Sequence, residues 1–226
     1  MNQAKRILLL VGSAKLERST SEVLSTYITD KLGEKGFESE TMFAHKILKS
    51  DTAKDELMSS VGKADLIILA FPLFVDCLPY AVISMLEHIA NNRPTSDDQK
   101  KQSLMCVVNC GFPEAHQNDT AIAICRQFAH ETDFDWAGGL AMGAGEGIHG
   151  RELSEVKGMA RNVIKSLDLA VEDLAQSKPV SQMAIDLMAK PLVPRWMYFI
   201  GGSARWKREA KEHGVRDKMW TRPYEK

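Results

Sequence analysis

Short continuous apolar runs alternate along the chain with longer segments whose apolar residues recur at helical spacing. Three of the runs are typical of strands buried on both faces of a parallel sheet, and two weaker segments make a set of five. The predicted strands are 7–11, 38–43, 65–71, 104–109 and 136–142, of which 38–43 lies near an edge. Predicted helices follow them at 19–35, 51–61, 79–91, 119–131 and 152–176. This alternation predicts an α/β, doubly wound five-stranded parallel sheet of order 2-1-3-4-5.

The loop after the first strand carries one glycine and several hydroxyl groups and then opens a helix. Free N–H groups and a partial positive charge at a helix N-terminus stabilise a bound anion. The loop matches neither a P-loop nor the G-x-G-x-x-G dinucleotide fingerprint. An ordinary N-cap is the alternative, but four hydroxyls directly after the first strand favour a phosphate site. The predicted phosphate-binding residues are Ser13, Lys15, Ser19, Thr20 and Ser21.

Two further loops at the same edge of the predicted sheet combine apolar, aromatic and proline residues. One covers 72–79 and the other 110–114. One polar loop beside two apolar loops suits a ligand with a phosphate at one end and a flat ring at the other, such as FMN. The residues predicted to contact the ring or its polar edge are Pro72, Leu73, Phe74, Val75, Asn109, Gly111 and Phe112.

Three segments resemble the flavin loops of NAD(P)H-dependent FMN reductases and related flavodoxin-like oxidoreductases. They are Gly12-Ser13-Ala14-Lys15 with Ser19-Thr20, Pro72-Leu73-Phe74, and Asn109-Cys110-Gly111-Phe112. The resemblance covers roughly residues 5–175, and Lys15 stands where these proteins often have an arginine that binds in bidentate fashion. The resemblance implies that FMN is the cofactor, that NAD(P)H is the co-substrate and that the protein is a homodimer. It also implies hydride transfer through flavin N5 to a small acceptor such as a quinone, with no dedicated acid–base residue.

Two other functions remain open on this fold. A flavodoxin-like electron carrier with protein partners is one, and the acidic body of the chain favours it. A flavin-free binding or sensory protein is the other, because a fold alone does not fix an activity.

Charged residues are distributed unevenly along the chain. Residues 179–226 carry ten Lys/Arg and five Asp/Glu, a net of +5, so that 1–178 carry −6 of the overall −1. We therefore expect a flavodoxin-like FMN-binding domain over 1–178 and a helical, aromatic and basic extension over 179–226. Packing on the body or on a partner subunit is the favoured role of the extension, followed by a cap over the flavin. Membrane association is the least favoured, because the predicted basic helix at 204–213 lacks a long apolar face.

The four cysteines lack C-x-x-C spacing, which is typical of reduced core thiols and of a cytoplasmic protein. Cys77 and Cys110 are expected near the site. The near-neutral overall charge and the short N-terminal apolar run predict no nucleic-acid partner and no membrane partner. No metal is expected, because His116 and His149 lack partners at ligand spacing. Glu146 with His149 is either a proton relay or a pair of solvated polar residues.

Overall fold

Five parallel strands form one sheet in the computed structural model, which describes residues 4–15, 18–93 and 101–222. The strands are β1 (Arg6–Val11), β2 (Glu38–Phe43), β3 (Leu66–Pro72), β4 (Ser103–Asn109) and β5 (Asp135–Met142). They lie in the order β2-β1-β3-β4-β5, and every pair is parallel. The predicted α/β, doubly wound sheet of order 2-1-3-4-5 is confirmed, and the exposed β2 forms one edge as expected.

Helices connect the strands and cover the sheet. They are α1 (Thr20–Gly33), α2 (Ala44–Ile47), α3 (Asp51–Lys63), α4 (Tyr80–Asn92), α5 (Asp119–Glu131), α6 (Arg161–Ala175), α7 (Gln182–Met188) and α8 (Arg195–Glu212). Alternate residues of the central strands, among them Leu8, Ile67 and Leu104, pack into one core with residues of α3, α4 and α5. The intervening residues of β1 and β3 are equally buried. α1 packs on these strands and on α6. Burial on both faces explains why the three central strands read as continuous apolar runs.

The helix expected over 152–176 begins later than its apolar spacing suggests. Leu153, Val156 and Ala160 are buried at helix-like intervals, yet residues 153–159 form successive turns and α6 starts at Arg161. Turn hydrogen bonds of the i to i+3 type, such as Met159 N to Val156 O at 3.0 Å, replace the helical ladder. Gly158, which lowers helix propensity, lies in this stretch. The predicted helix start was therefore wrong.

The chain divides into two compact units, residues 1–192 and 193–226. α7 packs against α6 and β5, and Ser166 Oγ donates to Ala184 O at 2.6 Å. These contacts tie residues 179–192, which the sequence assigned to the extension, to the first unit. In the second unit, α8 is a single helix that joins the aromatic and the basic segments of the extension.

None of the helices among the described residues is long and apolar enough to span a membrane.

Candidate functional site

A cavity of about 410 Å³ lies beyond the carboxyl ends of β1, β3 and β4, where the strand order reverses. This is the edge at which doubly wound sheets bind ligands. Its lining comes from four loops and comprises Ser13, Ala14, Lys15, Ser19, Thr20, Ser21, Pro72, Leu73, Phe74, Asn109, Cys110, Gly111, Gly145 and Glu146. Ten of the twelve predicted site residues are in this set. Val75 and Phe112 lie in the same loops but do not line the cavity.

The polar end of the cavity is built on the first turn of α1. Ser19 is its N-cap: the Ser19 hydroxyl accepts from Glu22 N at 3.1 Å, and the Glu22 carboxylate accepts from Ser19 N at 3.4 Å. This capping box fixes the direction in which the helix starts. The N–H groups of Thr20 and Ser21, at the first two helical positions, have no acceptor within the helix. They are available to an anion in the cavity.

Thr20 ties this turn to the loop after β5. Its hydroxyl donates to Gly145 O at 3.0 Å, and both residues are buried. A Cβ on Gly145 would lie 3.1 Å from Asn109 Nδ2, so a larger residue would crowd the amide. The Thr20 hydroxyl hydrogen is thus already used, which leaves its backbone N–H as the donor to a ligand.

Ser21 connects the same turn to the end of β4. Its hydroxyl donates to Asn109 Oδ1 at 2.9 Å, with both groups buried. This contact fixes the orientation of the Asn109 side chain, so that its amide nitrogen points away from the Ser21 hydroxyl. The backbone carbonyl of Asn109 accepts from Leu73 N at 2.8 Å. One residue therefore links the polar loop to the apolar loop after β3.

The charges at the cavity are few. Among the described residues that line it, Lys15 is the only cation and Glu146 the only carboxylate. Arg18, in the same loop as Lys15, forms an ion pair with Glu152. The Glu146 carboxylate lies 3.0 Å from His149 Nδ1, and both side chains are about half exposed. Lys15 is therefore placed to provide the positive charge that a phosphate needs.

The other end of the cavity is apolar and open. Phe74 N donates to Cys77 O at 2.9 Å, and Cys77 N donates to Phe74 O at 3.0 Å, which closes a tight turn over Val75 and Asp76. Both central residues have positive φ, 46° and 58°. That conformation is unusual for a β-branched residue such as Val75, whose side chain is 98% exposed. Phe74 and Phe112 are about half exposed beside the cavity.

Gly12 allows the backbone at the end of β1 to pass close to β3 and α4. Its N–H donates to Ala70 O at 2.7 Å. A Cβ there would collide with the Val82 side chain and would lie 2.8 Å from Phe71 Cβ. Glycine at the end of β1 thus allows α4 to pack directly under the loop.

Cys110 lines the cavity as a protonated thiol. Burial raises the pKa of Cys110, while hydrogen bonds from Phe112 and Asn118 act in the opposite direction. Its sulfur accepts from Asn118 Nδ2 at 3.4 Å. A thiol held in this state is a poor nucleophile at neutral pH, so the site offers packing rather than thiolate chemistry at this position.

Four lining residues were not among the predicted contacts, namely Ala14, Cys110, Gly145 and Glu146. Of these, Cys110 was expected near the site, and Glu146 was considered only as a proton relay with His149 or as a solvated residue. Gly145 and Glu146 belong to the glycine-rich loop after β5. Its position after a strand was a signal, because all carboxyl ends of a parallel sheet share one edge. The contact that brings it to Thr20 could not be foreseen from local sequence.

No known protein family matches the sequence, and no curated protein does. Solved structures do. RosB, solved with the bound intermediate 8-demethyl-8-formylriboflavin 5′-phosphate, aligns with a TM-score of 0.62 at 15% identity, over 91% of this chain and 87% of that one. An FMN-dependent NADH-azoreductase from Bacillus anthracis, in complex with FMN, aligns with a TM-score of 0.55 at 11% identity, over 76% and 99%.

The NAD(P)H:quinone oxidoreductase of Methanothermobacter marburgensis aligns with a TM-score of 0.51 at 14% identity, over 63% of this chain and 85% of that one. The chain spans only 35% of the length of another similar protein, the rubredoxin:oxygen oxidoreductase of Desulfovibrio gigas. The TM-scores establish a shared fold, and identities of 11–15% show no more than that. The flavodoxin-like fold that the resemblance implies is thus confirmed: the chain shares it with a flavodoxin, a quinone oxidoreductase and an azoreductase.

Proposed function

We propose that the protein is an FMN-dependent oxidoreductase that takes hydride from NAD(P)H and passes it to a small acceptor such as a quinone. The observation that supports this most strongly is the contrast between the two ends of the cavity. One end has backbone donors of a helix, hydroxyls and one lysine, and the other has an open apolar rim.

The polar end fits a monophosphate. Backbone N–H groups of Thr20 and Ser21, the hydroxyls of Ser13 and Ser19 and the ammonium of Lys15 supply donors and one positive charge. Hydrogen bonds to a charged group stabilise more than those between neutral groups. No carboxylate cluster of the kind that holds Mg²⁺ beside a triphosphate occurs among the described residues of this loop.

The apolar end fits the flavin ring. Pro72, Leu73 and Phe74 would hold a flat ring by packing against it, and the backbone of Gly111 would hydrogen-bond its polar edge. We assign the Asn109 amide, whose Oδ1 accepts from the Ser21 hydroxyl at 2.9 Å, as a donor to that edge.

FMN when bound supplies the hydride chemistry, by accepting and returning two electrons at N5. The chain's contribution is to hold the phosphate, to orient the ring against Phe74 and to leave one side open for NAD(P)H and the acceptor. The Glu146–His149 pair lies at the same edge, although hydride transfer itself needs no general acid.

The comparisons support this assignment from outside the chain. A riboflavin phosphate derivative is bound in the RosB structure, and FMN in the azoreductase. From these two proteins we infer that the ligand of this chain is a flavin phosphate. From the azoreductase and the quinone oxidoreductase we infer that a nicotinamide cofactor reduces it.

An electron carrier with protein partners is the second candidate. The net charge of −6 over residues 1–178 and the exposed Phe74, Val75 and Phe112 favour it, since a carrier leaves its ring edge open to a partner.

We further propose a homodimer in the cytoplasm. Phe74 and Phe112, half exposed beside the cavity, and the exposed Tyr80 at the start of α4 offer apolar contact surface for a second copy. All four cysteines are free thiols, as is usual in a reducing compartment.

Two measurements test the enzyme. Purified protein reconstituted with FMN is mixed with NADH or NADPH and a panel of quinones, nitroaromatics and azo compounds. Steady-state oxidation of the nicotinamide that depends on the acceptor is the expected result. Stoichiometric flavin reduction without turnover would favour the carrier, and failure to bind FMN would exclude both.

A further inference from the structure

The aromatic and basic segments of the C-terminal unit belong to one helix. α8 runs without a break over eighteen residues from Arg195 to Glu212. A helix confined to 204–213 would have no long apolar face, whereas α8 includes the segment Trp196-Met197-Tyr198-Phe199-Ile200 as well. The reason given by the sequence against membrane association therefore does not apply to the observed helix.

Large apolar side chains gather on one side of α8. At about 100° per residue, Trp196, Phe199, Ile200 and Trp206 fall within an arc of about 120°. Their side chains are 54–69% exposed. A soluble protein seldom leaves two tryptophans, a phenylalanine and an isoleucine exposed along one helix face. This aromatic face is a surface that another phase or molecule can cover.

The charges of α8 are sorted around the aromatic face. Lys207 and Lys211 lie within or beside the arc, while Glu209 and Glu212 lie on the far side. Arg205, also on the far side, forms a 2.8 Å ion pair with Glu209. Residues 193–226 together carry nine Lys/Arg and four Asp/Glu, a net of +5. The occupant of the aromatic face therefore faces cations and not carboxylates.

α8 contains a weak point of its own. Gly201 and Gly202 stand side by side in its middle, and each glycine lowers helix stability by roughly 1 kcal/mol relative to alanine. An exposed helix with this sequence is marginal in water, because most helical stability comes from packing of the apolar face. A surface that buries the aromatic face would stabilise it.

We propose that the aromatic face of α8 binds an anionic phospholipid surface, lying in the plane of the interface. Aromatic side chains on one face, bordering lysines and low overall hydrophobicity are the features of interfacial helices. Tryptophan prefers the headgroup level, and long lysine side chains reach from the edge of an apolar face to the headgroup charges. The net charge of +5 complements anionic lipid.

Vesicle binding tests this with the full chain. The protein is sedimented with vesicles of equal parts phosphatidylcholine and phosphatidylglycerol, and with vesicles of phosphatidylcholine alone. We expect at least about tenfold stronger binding to the anionic vesicles, weakened by salt. The double variant Trp196→Ser with Trp206→Ser should bind at least about tenfold more weakly, through loss of buried apolar area.

Charge variants test the orientation. Lys207→Gln with Lys211→Gln should lower binding to anionic vesicles by about tenfold. The matched control Arg205→Gln, on the far side of α8, should lower it by less than about twofold. A second control, Trp220→Ser, removes an exposed tryptophan outside the helix. Far-UV circular dichroism and FMN binding of each variant report whether the fold is retained.

Three results would overturn the membrane assignment. The first is no sedimentation of the wild-type chain with anionic vesicles. The second is an equal loss for Arg205→Gln and the lysine pair, which would mean diffuse charge attraction without an oriented helix. The third is a dimer that the tryptophan variant converts to a monomer in sedimentation velocity while vesicle binding is unchanged, which would make a second copy the occupant. Since none of these readouts requires turnover, their failure leaves the proposed oxidoreductase function untouched.

Discussion

The two ends of the cavity are built in opposite ways. At the polar end, Ser13, Ser19, Thr20 and Ser21 are all buried, and each hydroxyl already has a partner within the chain. At the apolar end, Phe74 is half exposed beside a turn that two backbone hydrogen bonds close. One end is fixed before any ligand arrives, and the other presents uncovered surface.

The contrast between the two ends explains how one site can bind a cofactor tightly and still admit a second substrate. A donor set that needs no rearrangement favours a permanent ligand group. An exposed apolar surface gains free energy when a ring covers it, and its open side leaves room for an acceptor. Substitutions that alter one end at a time therefore separate the two contributions.

Removing hydroxyls from the polar end should have the largest effect. Ser19→Ala with Thr20→Ala is expected to weaken FMN binding by roughly 2–4 kcal/mol, because the anion loses the Ser19 hydroxyl and the turn that presents the backbone donors loses its cap and its anchor to Gly145. Flavin fluorescence titration measures the change. The free energy of unfolding should fall as well, by about 1–2 kcal/mol, since Ser19 caps α1 and Thr20 anchors Gly145.

Ser50→Ala is the matched control. Ser50 caps α3 by accepting from Ala53 N at 3.2 Å and does not line the cavity. It should cost about 1 kcal/mol of stability and leave FMN affinity unchanged. If both variants lose flavin affinity equally, the effect comes from stability and the phosphate assignment fails.

At the apolar end, Phe74→Ala should weaken binding of FMN and of riboflavin by the same factor. The expected loss is roughly 1–2 kcal/mol, the contribution of an aromatic surface that a ring partly covers. Titration of both ligands measures it. A loss confined to FMN would mean that Phe74 acts on the phosphate, contrary to the division between the two ends.

Val75→Gly should raise stability. Val75 has φ of 46°, which costs a β-branched residue about 1–2 kcal/mol, and its exposed side chain makes no core contact that the change would remove. Loss of unfolded-state restriction reduces the gain to roughly 0.5–1 kcal/mol. Urea unfolding measures it. FMN affinity should not change, since Val75 does not line the cavity, and a weaker affinity would restore its predicted ring contact.

The smallest effect is expected from Cys110→Ser. Because burial raises the pKa of Cys110, the group is protonated at neutral pH and supplies no thiolate. The serine variant should keep kcat/KM for the acceptor within about twofold of wild type across pH 6–8. A steep loss that follows thiolate ionisation would assign this sulfur a chemical role.

Local patterns were enough to predict the sheet and the main loops. β1, β3 and β4 are buried on both faces, so their sequences are continuously apolar, and the Ser19 cap is a short-range signal. The pairing of Thr20 with Gly145 and of Ser21 with Asn109 joins residues 125 and 88 positions apart. Such contacts depend on the folded sheet, and no local pattern encodes them.

Helix boundaries were the other difficulty. Turns over 153–159 imitate helical spacing because Leu153 and Val156 face the core. In the extension, a basic helix was predicted only over 204–213, whereas α8 begins at Arg195 and continues through Gly201 and Gly202. Both cases show packing or context prevailing over local propensity.

A comparison of FMN with riboflavin isolates the contribution of the phosphate, because the two ligands differ only in that group. Apo-protein is titrated with each and the flavin fluorescence is followed. The account predicts that FMN binds at least about a hundredfold more tightly, from several hydrogen bonds to a charged group. Equal affinities for the two flavins would contradict a phosphate site at the N-terminus of α1.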